Sequence, residues 1–139
     1  MTTAKTDYHE QQVTDRVFAN SAPDGAVDGG YVALWTSSPA NAPDETNEVS
    51  GDSYSPVQVT ASGWSTNSAS NPRRYQNDSE VNFGVLDSST STTVEGYVLY
   101  DGPDSSTDNA LYYNDDISES VDAGNELKFN AGDLTFGED

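Results

Sequence analysis

The apolar residues of this chain fall at alternate positions, and that period limits the fold more than any other feature. Val81, Phe83 and Val85 are separated by Asn82 and Gly84, and Val57, Val59 and Ala61 by Gln58 and Thr60. Such alternation puts one set of side chains on a single face of an extended strand. Leu, Ile, Val and Phe supply only 23 of 139 residues, and the formal net charge is −19. Those two numbers alone would suit a disordered chain. The period, a two-to-one excess of Val over Leu and an aromatic content of 10% decide for a folded β protein. β-branched and aromatic side chains fit a pleated, half-buried surface.

The charge excludes whole classes of partner. Against 24 Asp and Glu stand only Lys5, Arg16, Arg73, Arg74 and Lys128. A nucleic acid must be met by clustered cations, so no nucleic acid is expected as a partner, nor an anionic membrane surface. The longest apolar run, Tyr31–Trp35, is far below the ~20 residues of a spanning helix. The residues from Met1 to Asp7 lead into no secretory segment, so a soluble product that stays where it is made is expected. With no cysteine there are no disulfides, thiolate metal sites or cysteine nucleophiles. So acidic a surface suits a salt-rich setting, where the Debye length shrinks to about 3 Å at 1 M and carboxylate repulsion is screened. An ordinary acidic protein from a low-salt source is the alternative.

Along the chain, Asp7–Phe18 is expected to form a short amphipathic helix, capped by Thr6 or Asp7, with Val13, Val17 and Phe18 on one face and Tyr8 near it. Tyr31–Thr36 reads as a strand buried on both faces. Tyr54–Ala61 alternates, with Pro56 marking an edge. Trp64 stands in a polar stretch to Asn71 that reads as a long loop. Val81–Val85 and Val94–Tyr100 read as strands, followed by an acidic loop over 101–109 and the short aromatic segment Ala110–Asn114. Near the C-terminus Ala123-Gly-Asn-Glu-Leu-Lys-Phe129 is echoed by Ala131-Gly-Asp-Leu-Thr-Phe136. Each copy is a turn followed by a strand. The expected fold is all-β, an antiparallel sandwich of jelly-roll type with a short N-terminal helix. Residues 1–20 are expected to be a helical arm and 21–139 a single β-sandwich domain.

Few residues suggest chemistry. Asp101, Asp104 and Asp108 offer hard oxygen ligands of the kind Ca²⁺ takes, but not in EF-hand order, and a solvated acidic loop is the plainer reading. His9 is the single histidine, and no second one can complete a metal site with it. No carboxylate pair is singled out for catalysis, so no catalytic residue and no cofactor is expected. Arg73 and Arg74, the one basic pair, suit a bridge to carboxylates within the chain or across an interface. Trp35 lies in the buried strand and reads as core, whereas Trp64 suits either a core plug or ligand stacking. Asn77-Asp-Ser79 is an isolated glycosylation sequon.

The order of segments resembles a family of small structural proteins of tailed viruses, commonly labelled phage tail-fibre proteins. The residues that carry the resemblance are Tyr31-Val-Ala-Leu-Trp-Thr-Ser-Ser-Pro39, Glu48-Val-Ser-Gly51-Asp-Ser-Tyr54, Gly96-Tyr-Val-Leu-Tyr-Asp101 and Val121-Asp-Ala-Gly124-Asn-Glu-Leu127-Lys-Phe129-Asn-Ala131-Gly132-Asp-Leu134. They are similar to that family's "ALYT-x-x-P", "EVSGGSYAR", "THxALFDA" and "V-x-x-GD-x-L-x-F-x-AG-x-L" runs. Ser55-Pro56 departs from the pattern, and residues 65–80 match none of it.

The resemblance implies a non-enzymatic virion component, made in the host cytoplasm. With the acidic composition, it points to a tailed virus of a haloarchaeon. Expected placements are a capsid decoration or vertex turret, or a tail fibre or its adaptor. The expected partners are other virion proteins and further copies of the chain, with Tyr8, Val13, Val17, Phe18, Arg73 and Arg74 as interface residues. The alternative is a carbohydrate-binding module that reads a host surface glycan through Trp64.

Overall fold

The computed structural model describes residues 3–14, 29–40, 43–67 and 74–137. Within them lie twelve strands and one α-helix. In chain order they are β1 (Thr3–Lys5), α1 (Asp7–Thr14), β2 (Tyr31–Trp35), β3 (Val57–Gln58), β4 (Trp64–Asn67), β5 (Arg74–Asn77), β6 (Val81–Val85), β7 (Thr92–Val94), β8 (Gly96–Tyr100), β9 (Ala110–Asn114), β10 (Glu119–Val121), β11 (Glu126–Phe129) and β12 (Thr135–Gly137). A five-stranded sheet has the order β1-β9-β8-β2-β3. A three-stranded sheet has the order β12-β5-β4, and two ribbons pair β11 with β6 and β10 with β7. Every pair is antiparallel. The described residues therefore form an all-β sandwich with one short α-helix.

β2 and β8 form the spine, and their apolar runs are buried on both faces, as the sequence predicts for β2. Val32, Leu34, Tyr97 and Leu99 face the main core with Phe83, Phe129, Leu134 and Phe136. Ala33, Trp35, Val98 and Tyr100 form a second cluster on the other face. There the Trp35 and Tyr100 rings stack at 5.8 Å, and the Trp35 indole donates to the Asp44 carbonyl at 3.1 Å. In the main core Phe136 meets Tyr97 edge-on at 5.2 Å and Tyr112 at 6.0 Å, joining the three-stranded sheet to the five-stranded one.

Several elements depart from the pattern. The strand expected over 54–61 is only Val57–Gln58. The chain then passes through a 3₁₀ turn at Ala61–Gly63, and Trp64 opens β4 instead of standing in a loop. β4 has no apolar alternation; its extended form comes from pairing with β5 over Trp64–Asn67. β1 and β5 are polar strands of the same kind and equally silent in the sequence. The run 94–100 breaks at Glu95, because β7 pairs with β10 while β8 joins β2. Gly96 makes that change of sheet fit, since a Cβ there would lie 2.2 Å from Pro39 Cδ. The two C-terminal repeats turn at Gly124 (φ 78°) and Gly132 (φ 88°), a region glycine enters freely. Their strands then part, β11 to β6 and β12 to β5.

Candidate interaction surface

Thr6, one of the two candidate caps, starts α1. Its hydroxyl accepts the His9 N–H at 3.3 Å and donates to the Ala110 carbonyl, and its own N–H donates to the Leu111 carbonyl at 2.8 Å. One buried threonine thus caps the helix and ties it to β9. The His9 ring lies 4.8 Å from that of Tyr112, with the Tyr112 hydroxyl 3.3 Å from His9 Nε2. Tyr8 is half-buried beside it. Of the other expected interface residues, the side chain of Val13 and all of Val17, Phe18 and Arg73 lie outside the described residues. Arg74 is half-buried on β5.

The motif Glu48–Tyr54 is a clamp. The Tyr54 hydroxyl accepts the Leu34 N–H at 2.9 Å and donates to Glu48 Oε1 at 2.9 Å. The Ser105 hydroxyl donates to Glu48 Oε2, which ties the acidic loop to the same point. Burial, and then the charge of Glu48, push the Tyr54 hydroxyl well above its ordinary pKa, so it stays protonated and donating. At Gly51 the chain runs so close to the next turn that a Cβ would sit 2.0 Å from the Leu86 carbonyl. Asp52 then accepts from Ser88 N at 3.0 Å and Ser88 Oγ at 2.5 Å. On the other side of that turn, Gly124 N–H donates to the Asp87 carbonyl at 2.9 Å. The family-like motif and the first C-terminal repeat therefore grip one turn between them.

In the acidic loop, Asp101 accepts both the backbone and the side-chain amide of Asn109, at 2.7 and 2.9 Å. Asp104 accepts Ser106 N at 3.0 Å and Ser106 Oγ at 2.6 Å, and Asp108 accepts the Asp104 N–H at 2.7 Å. Hydrogen bonds from the Ser106 side chain and backbone hold the Asp104 carboxyl below the usual range. The three carboxylates brace their own loop. Among the described residues no group of three or more His, Cys, Asp or Glu is arranged to hold a metal ion. The sequon is structural as well. Asn77 is buried, and its side-chain amide donates to the Ser79 and Asn130 carbonyls at 2.8 and 3.0 Å. Its oxygen accepts from Gly132 N and Leu134 N at 3.1 and 2.9 Å.

Trp64 turns its indole N–H inward, to the Val59 carbonyl at 3.2 Å, and meets Phe136 edge-on at 5.7 Å. With Tyr75, Leu99, Tyr112 and Phe136 it lines an open, largely apolar hollow of about 310 Å³ between the two sheets. Tyr75 is 38% exposed, the large apolar side chain most open to solvent among the described residues. Nothing local in the sequence signals it, because Tyr75 follows the charged pair Arg73-Arg74 in a strand without apolar alternation.

Among the described residues no helix is long and apolar enough to cross a membrane. No curated protein matches the chain. A family described as Podophage GP4 fiber I protein gp80 matches residues 4–137, nearly the whole length, and the chain belongs to that family.

Proposed function

We propose that the chain is a non-enzymatic subunit on the outside of a salt-adapted tailed virus, assembling there as a symmetric homo-oligomer. Membership of a phage fibre family makes it a virion structural protein of tail-fibre type, with other virion proteins as neighbours. That match across 4–137 is the observation that carries the reading. The finer parts rest on physical arguments. A charge of −19 suits a surface that must stay soluble in strong salt. A small core gains stability from neighbouring copies. The carboxylates of the described loops brace turns, and the tyrosines Tyr54 and Tyr97 hold backbone groups.

The test is to locate the protein in purified particles by labelling and imaging at their native salt. Label on the outer surface at symmetric positions is expected; its absence from the particle exterior would overturn the placement. A glycan array at molar salt separates this reading from host-glycan recognition through Trp64. A structural subunit shows no sugar selectivity.

A further inference from the structure

Self-association is part of the reading above, and the structure narrows where it occurs. Acids make up 24 of 139 residues, yet none lies between Asp52 and Asp78, and residues 53–72 carry no charge of either sign. That neutral run supplies the 3₁₀ turn Ala61–Gly63 and β4. β4 is the outer strand of its sheet, and no strand among the described residues pairs with its far side. Outer strands are ordinarily guarded against foreign pairing by charge, proline or a bulge. In the five-stranded sheet, β1 ends on Lys5 and β3 follows Pro56. β4, Trp64-Ser-Thr-Asn67, has no such guard, and its register with β5 runs without a shift. The hollow lined by Trp64 and the exposed Tyr75 lies beside it.

We infer that β4 is the edge through which two copies of this chain join, each adding its β4 antiparallel to the other, so that the β12-β5-β4 sheet continues into the neighbour. Charge favours a second copy as the occupant. Two chains at −19 repel each other, and only acid-free strips meet without adding carboxylate pairs. A second copy brings an identical neutral strip, whereas a cationic partner would be drawn to the acid-rich faces instead. Pairing across a twofold axis sets neutral strand against neutral strand. It strengthens with salt, because screening removes the repulsion that remains.

The experiment measures the mass of the whole chain by sedimentation equilibrium in low and molar salt, for the wild type, Thr66→Glu and Thr93→Glu. Thr66 and Thr93 are both exposed, so each variant is expected to keep its circular dichroism and melting behaviour. The expected result is a dimer or larger assembly that tightens in molar salt. Thr66→Glu weakens it tenfold or more, and Thr93→Glu leaves it unchanged. Amide exchange over Trp64–Asn67 slows on association. An assembly indifferent to Thr66→Glu would overturn the β4 edge while leaving self-association standing. A wild type that is monomeric in all salts would overturn both. A monomer whose binding to a neutral glycan is lost in Tyr75→Ser would assign the hollow beside β4 to a sugar instead.

Discussion

Glu48 accepts a 2.9 Å hydrogen bond from the hydroxyl of Tyr54, six residues further along the chain. The same hydroxyl accepts the N–H of Leu34, within β2. Tyr54→Phe leaves that amide without its acceptor and Glu48 without its tyrosine donor. An orphaned buried group costs about 1–3 kcal/mol, and a loss of that size is expected in denaturant melts at molar salt. A variant as stable as the wild type would show that water replaces the hydroxyl without cost.

Asn77→Asp is expected to be more damaging than its near-identical shape suggests. The amide donates to two carbonyls, of Ser79 and Asn130, and a carboxylate donates to neither. Two acceptors lose their partners at about 1–3 kcal/mol each, and a buried charge faces both. Thermal melts check this, and an unchanged midpoint would contradict the network described above.

Stability is expected to fall in acid. Asp52 is held below the usual carboxylate range by the Ser88 side chain and backbone, Asp87 by the Ser89 backbone and side chain, and Asp44 by the Thr46 backbone and side chain. A pKa lower in the folded than in the unfolded chain gives stability that is present above the unfolded value, about pH 4. That stability is lost as pH falls through the lower folded values. Protonation also relieves repulsion, so the experiment belongs at molar salt, where that opposing effect is screened. Asp52→Asn should flatten the fall in melting temperature below pH 4, and an identical profile would remove Asp52 from the account.

The melting temperature is expected to rise from low to molar salt. A net charge of −19 is carried on a chain with few cations, of which Lys128 bridges Glu80 and Glu126 at 3.9 and 3.6 Å on the exposed surface. Such exposed pairs add little. Repulsion among the remaining acids is then what salt removes. A melting temperature unchanged between the two conditions would argue against a salt-adapted surface.

The parts of the fold that announce themselves in the sequence are those whose own side chains hold them. β2, β6 and β11 show runs or alternation because their apolar residues enter the core. β1, β4 and β5 are extended because of what lies beside them, so nothing local signals them. Glu48–Tyr54 is visible as a motif, yet its meaning lies in distant groups, the Leu34 amide and the turn at Leu86–Ser88. The acidic loop is legible as acidic, but the way each carboxylate caps its own backbone is a matter of geometry. Tyr75 matters because β5 places it at the mouth of a hollow, a fact no spacing encodes.

The pairing of β1 with β9 bears on the order of events during synthesis. Thr6, just after β1, bonds to Ala110, 104 positions later. A short strand made early therefore waits until most of the protein exists before it finds its place, and joining partners so far apart is slow. During that wait β9 is a bare edge with Tyr112 and Tyr113 along it. When many copies are made at once, crowding falls on this interval. The speed with which β1 closes on β9 then sets how many chains reach assembly rather than each other's unfinished sheets.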